Sequence, residues 1–125
     1  MEPWLTEPDN VDFEYKGYRC LIRRIPYFGY LCGYLNLPPS SHFFGKDYDD
    51  IPLIPHGGLT FAQPNDGNWV IGFDCAHAFD LMPGMDISFE KYASYKTIEY
   101  VEQNLKDMID DLIELEREAE SVVTE

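Results

Sequence analysis

Basic residues are scarce in this 125-residue chain, which has 9 Lys and Arg against 23 Asp and Glu and a formal net charge of −14. Nucleic-acid binding depends on Lys and Arg that neutralise phosphates, so a chain this acidic repels nucleic acid at long range. We therefore expect no direct binding to nucleic acid. The acidity itself indicates either an ordinary charged surface or an acidic decoy that occupies a DNA-binding protein.

Cysteines are few, and long apolar runs are missing. Cys20, Cys32 and Cys75 are odd in number and widely spaced, which gives no disulfide framework and favours a reducing compartment. No apolar run approaches the roughly 18–20 residues that cross a bilayer. The first residues are acidic and broken by proline, unlike the basic and apolar regions of a secretory signal. These absences predict a cytoplasmic protein with no membrane partner.

Apolar residues nevertheless make up 45% of the chain and aromatic residues 15%, enough for one packed interior. The length fits a single domain over residues 1–125. Residues 1–14 are expected to form an extended arm with poor order. Branched and aromatic residues between turn signals predict short strands over 18–25, 30–37, 59–61 and 69–75.

The last part of the chain has the pattern of a helix over residues 97–122. Thr97 is a plausible N-cap, because its hydroxyl can accept a hydrogen bond from a free backbone N–H. Apolar residues then recur every three or four positions and form one seam: Ile98, Val101, Leu105, Met108, Leu112, Leu115 and Ala119. This seam packs on the protein's own sheet, or its distal part pairs with a second copy in a homodimer. The predicted fold is α+β, a small antiparallel sheet packed against one long C-terminal helix.

Two short segments, residues 56–60 and 72–80, contain the residue types of a functional site. The paired glycines Gly57 and Gly58 add no packing, and they permit either a sharp turn or close approach of a ligand to backbone N–H groups. The candidate ligand-binding residues in these segments are His56, Gly57, Gly58, Thr60, Asp74, Cys75 and His77.

Three interpretations of these side chains stay open. On an extended backbone Cys75 and His77 point to one face, and with His56 they could bind zinc, although no cofactor is the simpler expectation. Alternatively, Cys75 is a buried thiol beside a hydrogen-bonded histidine. In the third, Cys75 is a nucleophile with His77 or His56 as its base, oriented by Asp74 or Asp80. The two aspartates also suit turn and capping positions.

Arg19 and Arg23 share one face of the strand predicted over residues 18–25, whereas Arg24 points to the other. In so acidic a chain they could pair internally with carboxylates. They could also grip the phosphates of a ligand while an aromatic ring stacks on its base. The candidate aromatic residues are Tyr18, Tyr30, Tyr34, Phe61, Trp69 and Phe73.

Several motifs together resemble a family of small accessory proteins encoded by tailed bacteriophages and prophages. The most specific are His-Gly-Gly-Leu-Thr-Phe at 56–61 and Gly-Phe-Asp-Cys-Ala-His at 72–77. Cys-Gly-Tyr at 32–34 with Pro38, Gly-Lys-Asp-Tyr at 45–48, and Tyr95 with Tyr100 complete the likeness, which spans residues 18–101. Asn68 before Trp69 and the residues before Tyr15 depart from it.

The resemblance implies a phage protein in the cytoplasm of the bacterial host and carries over no catalytic residues. Proteins of this kind bind more often than they catalyse. The leading expectation is an anti-host or anti-defence protein that binds a small molecule at the two histidine segments. One candidate ligand is a nucleotide-type signal, with Arg19 and Arg23 as its phosphate contacts in the same site. One alternative is an acidic decoy that blocks a host or CRISPR-type defence protein. The other is a small metal- or thiol-dependent enzyme.

Overall fold

Five strands and one long helix make up the fold in the computed structural model, which describes residues 2–85 and 92–124, without the side chains of 122–124. The strands are β1 (Asn10–Tyr15), β2 (Tyr18–Arg24), β3 (Leu31–Leu37), β4 (Phe61–Asn65) and β5 (Asn68–Asp74). The helix α1 spans Ile98–Thr124, and short 3-10 turns lie at Pro3–Leu5 and Tyr48–Asp50. All strand pairs are antiparallel, in the order β1-β2-β3-β5-β4. The predicted α+β fold is confirmed.

Two tight turns fix the ends of the sheet. Lys16 and Gly17 link β1 to β2 with φ of 49° and 87°, and Asp66 and Gly67 link β4 to β5 with φ of 50° and 82°. Two successive residues with positive φ match the right-handed twist of a hairpin, which is why Gly and Asp are found there. The second turn is the one that its Asn-Asp-Gly-Asn sequence predicts.

One face of the sheet carries the core, with α1 packed across it. Along β5 and just beyond it, Ile71, Phe73 and Cys75 are almost fully buried, as the alternation in the sequence predicts. The helix covers this face with Val101, Leu105, Met108, Ile109 and Leu112. Each such side chain contributes about 1.5–3 kcal/mol by leaving water. The seam of α1 therefore packs on the protein's own core from Ile98 as far as Leu115.

The opposite face of the sheet carries polar and aromatic side chains. Arg19 and Arg23 of β2 lie on it, together with Tyr34 of β3 and Phe61 of β4. Among the described residues α1 is the one long helix, and it packs on the core face, so no such helix covers the opposite face. This opposite face is therefore open.

The N-terminal region differs from the expected arm. Asn10–Tyr15 forms the edge strand β1, paired along its whole length with β2. Before it, Glu7 reaches the start of α1, where its carboxylate accepts hydrogen bonds from the Ile98 N–H at 2.9 Å and the Tyr95 hydroxyl at 2.6 Å. These contacts join residues 91 and 88 positions apart, so no local pattern could indicate them.

The helix begins where the capping signal places it, since the Thr97 hydroxyl accepts a hydrogen bond from the Tyr100 N–H at 3.1 Å. The β4 strand instead starts two residues later than predicted and extends to Asn65. Among the described residues, no helix is both long enough and apolar enough to span a bilayer.

Candidate functional site

The diglycine segment forms a tight turn that brings His56 against the start of α1. The Gly58 N–H donates to the Pro55 carbonyl at 2.8 Å, and Gly57 and Gly58 adopt φ of 71° and 85°. Side chains rarely tolerate this left-handed conformation, whereas glycine does. The backbone N–H of His56 donates to the Asn104 side chain at 2.9 Å, which fixes the turn on the helix. The diglycine therefore serves a sharp backbone turn.

A second turn follows β5 and positions His77 and Asp80. The Asp80 N–H donates to the His77 carbonyl at 3.0 Å, and Phe79 between them has φ of 71°. A non-glycine residue at such a φ carries backbone strain, which accumulates at functional sites in many proteins. The turn is held from outside, because the Ser94 N–H donates to the Phe79 carbonyl at 2.8 Å.

His56, His77 and Asp80 converge to form what we term the His–His–Asp cluster. The Asp80 Oδ2 atom lies 2.8 Å from His56 Nε2 and 3.2 Å from His77 Nδ1. The two imidazole rings stand edge to face with centroids 5.4 Å apart. One donor atom from each residue falls within 4.8 Å of the others. The two histidines that the sequence singles out therefore meet, joined by an aspartate.

Further side chains hold the cluster in place from outside. The Tyr100 hydroxyl lies 2.8 Å from His56 Nδ1, the nitrogen that faces away from Asp80. Lys96 Nζ lies 3.1 Å from Asp80 Oδ1 and also contacts the carbonyl and hydroxyl of Ser94. Outer partners of this kind fix the ring orientation of histidine ligands at metal centres.

Asp80 is the buried centre of the cluster, with its side chain 2% exposed against 16% for His56 and 33% for His77. Burial alone would raise the pKa of Asp80. Hydrogen bonds from His56, from the His77 backbone N–H and from Lys96 outweigh burial and hold this pKa below its ordinary value. The carboxylate is therefore ionised at neutral pH, while both imidazoles remain accessible from one side.

These three residues fit a transition-metal ion by the chemistry of their donors. Two imidazole nitrogens and one carboxylate oxygen are a ligand set that zinc accepts, usually with a fourth position left to water or a substrate. Neighbouring ligand atoms of a tetrahedral zinc lie about 3.3 Å apart for bonds near 2.0–2.1 Å. The contact of 2.8 Å between Asp80 and His56 would open by about half an ångström to reach that spacing, and the contact of 3.2 Å between Asp80 and His77 is already close to it.

Cys75 is not one of the three residues of the cluster, and of its three interpretations the buried thiol fits its position best. Its side chain is buried in the core at 2% exposure, on the same side as Phe73. Burial, together with nearby negative charge on Asp80, raises the pKa of its thiol to about 12. A thiol with this pKa is a poor nucleophile at neutral pH, which argues against the interpretation of Cys75 as a nucleophile with a histidine base.

The remaining predicted ligand residues lie beside the cluster. Asp74 Oδ1 is 3.8 Å from His77 Nε2, and its Oδ2 accepts a hydrogen bond from the Thr60 hydroxyl at 2.9 Å. Gly57 lies against the His77 ring, because a Cβ built there would come within 2.2 Å of Cε1. A Cβ built on Gly58 would meet nothing within 4 Å.

Arg19 and Arg23 lie away from the cluster, on the open face of the sheet. Among the described residues neither guanidinium has a carboxylate within ion-pairing distance, whereas Arg24 pairs with Asp9 at 2.9 Å and Glu7 at 3.6 Å. Only Arg23 lines the groove on this face. The sequence predicts one ligand site that contains both the arginines and the histidines. In the structure they belong to two regions.

The sequence offered Asp80 as a turn residue or as a group that orients a histidine, and it gave no sign of Lys96 and Tyr100 as neighbours of the histidines. The spacing of Asp80 three residues after His77 was an available signal, since a tight turn brings such residues together. Lys96 and Tyr100 arrive from the start of α1, and no local pattern marks them.

Comparison of the chain with protein-family models, with curated proteins and with solved structures finds no match.

Proposed function

We propose that this protein binds a divalent transition metal, zinc before others, at the His–His–Asp cluster and uses it to hold a small ligand. The convergence of two imidazole nitrogens and one carboxylate oxygen within 4.8 Å carries the proposal. Three protein ligands leave at least one coordination position for water or for a donor atom of the ligand. The exposed sides of His56 and His77 supply the route of access.

The outer contacts of the cluster support a metal ion specifically. If His56 bound a metal through Nε2, its ring proton would lie on Nδ1 and would be donated to the Tyr100 hydroxyl. Lys96 contacts Asp80 Oδ1, whereas Oδ2 faces both histidines and also accepts a hydrogen bond from the His77 backbone N–H at 3.0 Å. Oδ2 would be the oxygen that binds the metal. Tyr100 and Lys96 would therefore keep their hydrogen-bond partners if metal coordination replaced the direct hydrogen bond between His56 and Asp80.

The biological role we propose is that of a phage accessory protein that binds a small molecule in its bacterial host. It rests on the motifs at residues 56–61 and 72–77, which contain both histidines of the cluster. The metal-binding function and this setting are separate proposals. The first can hold in any organism.

Zinc titration by calorimetry, with metal analysis of the purified protein, tests the metal centre. We expect one zinc per chain, and a loss of affinity in His56→Gln and His77→Gln greater than the 10–100-fold typical of outer-partner variants. The third histidine of the chain, His42, provides the control because it contacts Glu116 and lies outside the cluster. His42→Gln should bind zinc like the wild type. Absence of stoichiometric zinc, or equal losses in all three variants, would reduce the cluster to a hydrogen-bonded structural network.

An acidic decoy is the competing function, favoured by the exposed carboxylates of Glu114, Glu118 and Glu120 along α1. Its test is the plaque count of a defence-sensitive phage on cells that produce the chain. If the helix acts as a decoy, the chain raises this plaque count by protecting the phage from the host defence. Replacing these three glutamates by glutamine then abolishes that protection. Replacing Asp49, Asp50 and Asp66 by asparagine removes the same charge elsewhere and serves as the control. Protection that survives the helix change but not His77→Gln supports the metal centre instead.

A further inference from the structure

The open face of the sheet contains a groove of about 370 Å³ that the metal proposal does not use. It runs over β2, β3, β4 and β5 on the side away from α1. Its lining combines an arginine, two aromatic rings, three amides and three apolar residues: Leu21, Arg23, Tyr34, Asn36, Phe61, Gln63, Pro64, Asn65 and Val70. This volume falls within the range of small-molecule sites.

Two aromatic rings stand on this face instead of in the core. Tyr34 and Phe61 pack edge to face with centroids 5.3 Å apart. The Tyr34 ring lies over Gly72 of β5, where a Cβ would come within 2.8 Å of Cδ1. The glycine therefore lets the ring lie close to the sheet. Aromatic side chains in this position provide a surface on which a planar ring can stack.

Arg23 is the basic group of the groove. Among the described residues its guanidinium has no carboxylate partner within 4.0 Å, in contrast to Arg24 with two. A guanidinium left without an ion pair in a chain of net charge −14 is available to an anion. The amides of Asn36, Gln63 and Asn65 add donors and acceptors that suit the edge of a polar ring.

We propose that this groove binds a small phosphorylated compound with a planar heteroaromatic ring, a nucleotide being the type. The ring stacks against Tyr34 and Phe61, the amides contact its edge, and Arg23 binds the phosphate. Both charge and shape argue for this occupant, since a purely apolar ligand would cover the Arg23 guanidinium and the Gln63 and Asn65 amides without giving them a hydrogen-bond partner, whereas the Asn36 amide already donates to the Arg19 carbonyl. The groove shares none of its lining residues with the His–His–Asp cluster, which lies beyond the end of β5.

Calorimetry with the 5′-monophosphates of adenosine, guanosine, cytidine and uridine, on chelator-treated full-length protein, tests the groove. At least one nucleotide should bind, and Arg23→Ala should weaken it at least about tenfold, as expected for a charge-assisted hydrogen bond. Arg19→Ala is the matched control, since it removes the same charge from the same strand face outside the groove. Its affinity should stay within about twofold of the wild type.

Three results would overturn the proposal. One is a flat titration with all four nucleotides, and another is an equal loss in both arginine variants, which would mean attraction by bulk charge alone. The third is ribose 5-phosphate binding as tightly as the nucleotides, which would remove the role of the ring. Phe61→Leu supplies a second variant for that role: it keeps an apolar side chain and should still weaken nucleotide binding. Because the protein is free of metal here, failure of the groove leaves the zinc result unaffected.

Discussion

Gly57 and Gly58 are neighbours in the chain, but only one of them makes room for a histidine of the cluster. Gly57 and Gly58 share a left-handed backbone, but only Gly57 faces the His77 ring, and Gly58 faces open space. A side chain on either residue is strained by the backbone, and on Gly57 it also displaces a metal ligand. Substitution of Gly58 therefore measures the effect of backbone strain alone, whereas substitution of Gly57 measures that strain together with the displacement of His77.

Gly58→Ala should lower the free energy of unfolding by about 1–2 kcal/mol and leave zinc affinity unchanged. Gly57→Ala should cost at least as much stability and in addition weaken zinc binding by about 10–100-fold, because its Cβ pushes the His77 ring away. Urea denaturation and zinc calorimetry measure the two quantities. Equal zinc affinity in both variants would show that Gly57 does not position His77.

The residue types of the site were predictable, but not all of their directions. His56 and His77 were identified because histidines beside glycines and aspartates suit a ligand site. Cys75 was paired with His77 by the two-residue alternation of an extended chain. The strand ends at Asp74, however, whose side chain accepts a hydrogen bond from the Ala76 N–H at 3.1 Å and turns the backbone. Cys75 therefore keeps the core side of the strand while His77 leaves it.

The start of α1 is held by Glu7, a residue that precedes the first strand of the sheet. Glu7 accepts hydrogen bonds from the Ile98 N–H and the Tyr95 hydroxyl, and it lies 3.6 Å from Arg24. A carboxylate at the first turn satisfies a free N–H group and interacts favourably with the helix dipole. The same first turns of α1 supply Tyr100 and Asn104 to His56. The N-terminal region thus stabilises the frame of the cluster.

Glu7→Ala should lower the free energy of unfolding by about 1–2 kcal/mol, since it removes a capping carboxylate from α1. Glu2→Ala removes the same charge from an exposed position and should change stability by less than about 0.5 kcal/mol. Chemical denaturation followed by circular dichroism measures both variants. If Glu7→Ala is as stable as Glu2→Ala, the N-terminal residues do not support the helix.

At the element scale, prediction from sequence succeeded where the pattern is local. The strands β2, β3 and β5, the second hairpin turn and the helix follow from alternation, turn residues and a capped apolar seam. The edge strand β1 was not predicted, because its residues alternate between exposed and half-buried and include three with polar side chains: Asn10, Asp12 and Glu14. Its pairing with β2 is fixed by the Lys16–Gly17 turn, a signal that was available in the sequence.

The molecule as a whole separates two candidate sites on one sheet. The His–His–Asp cluster lies beyond the end of β5 next to the start of α1, and the groove lies on the face that α1 leaves open. Sequence reasoning merged the arginines and histidines into one site because it had strand faces but no strand order. The order β1-β2-β3-β5-β4 places β2 two strands from β5, which separates Arg23 from His77.

X-ray absorption spectroscopy at the zinc edge of the zinc-loaded protein tests the metal centre most directly. The expected first shell contains two imidazole nitrogens and further oxygen atoms at about 2.0–2.2 Å, with no sulfur, since all three thiols are buried. His77→Gln should lose the outer scattering of one imidazole ring, and His42→Gln should not. A sulfur shell at about 2.3 Å, or a spectrum unchanged in His77→Gln, would contradict a zinc ion held by His56, His77 and Asp80.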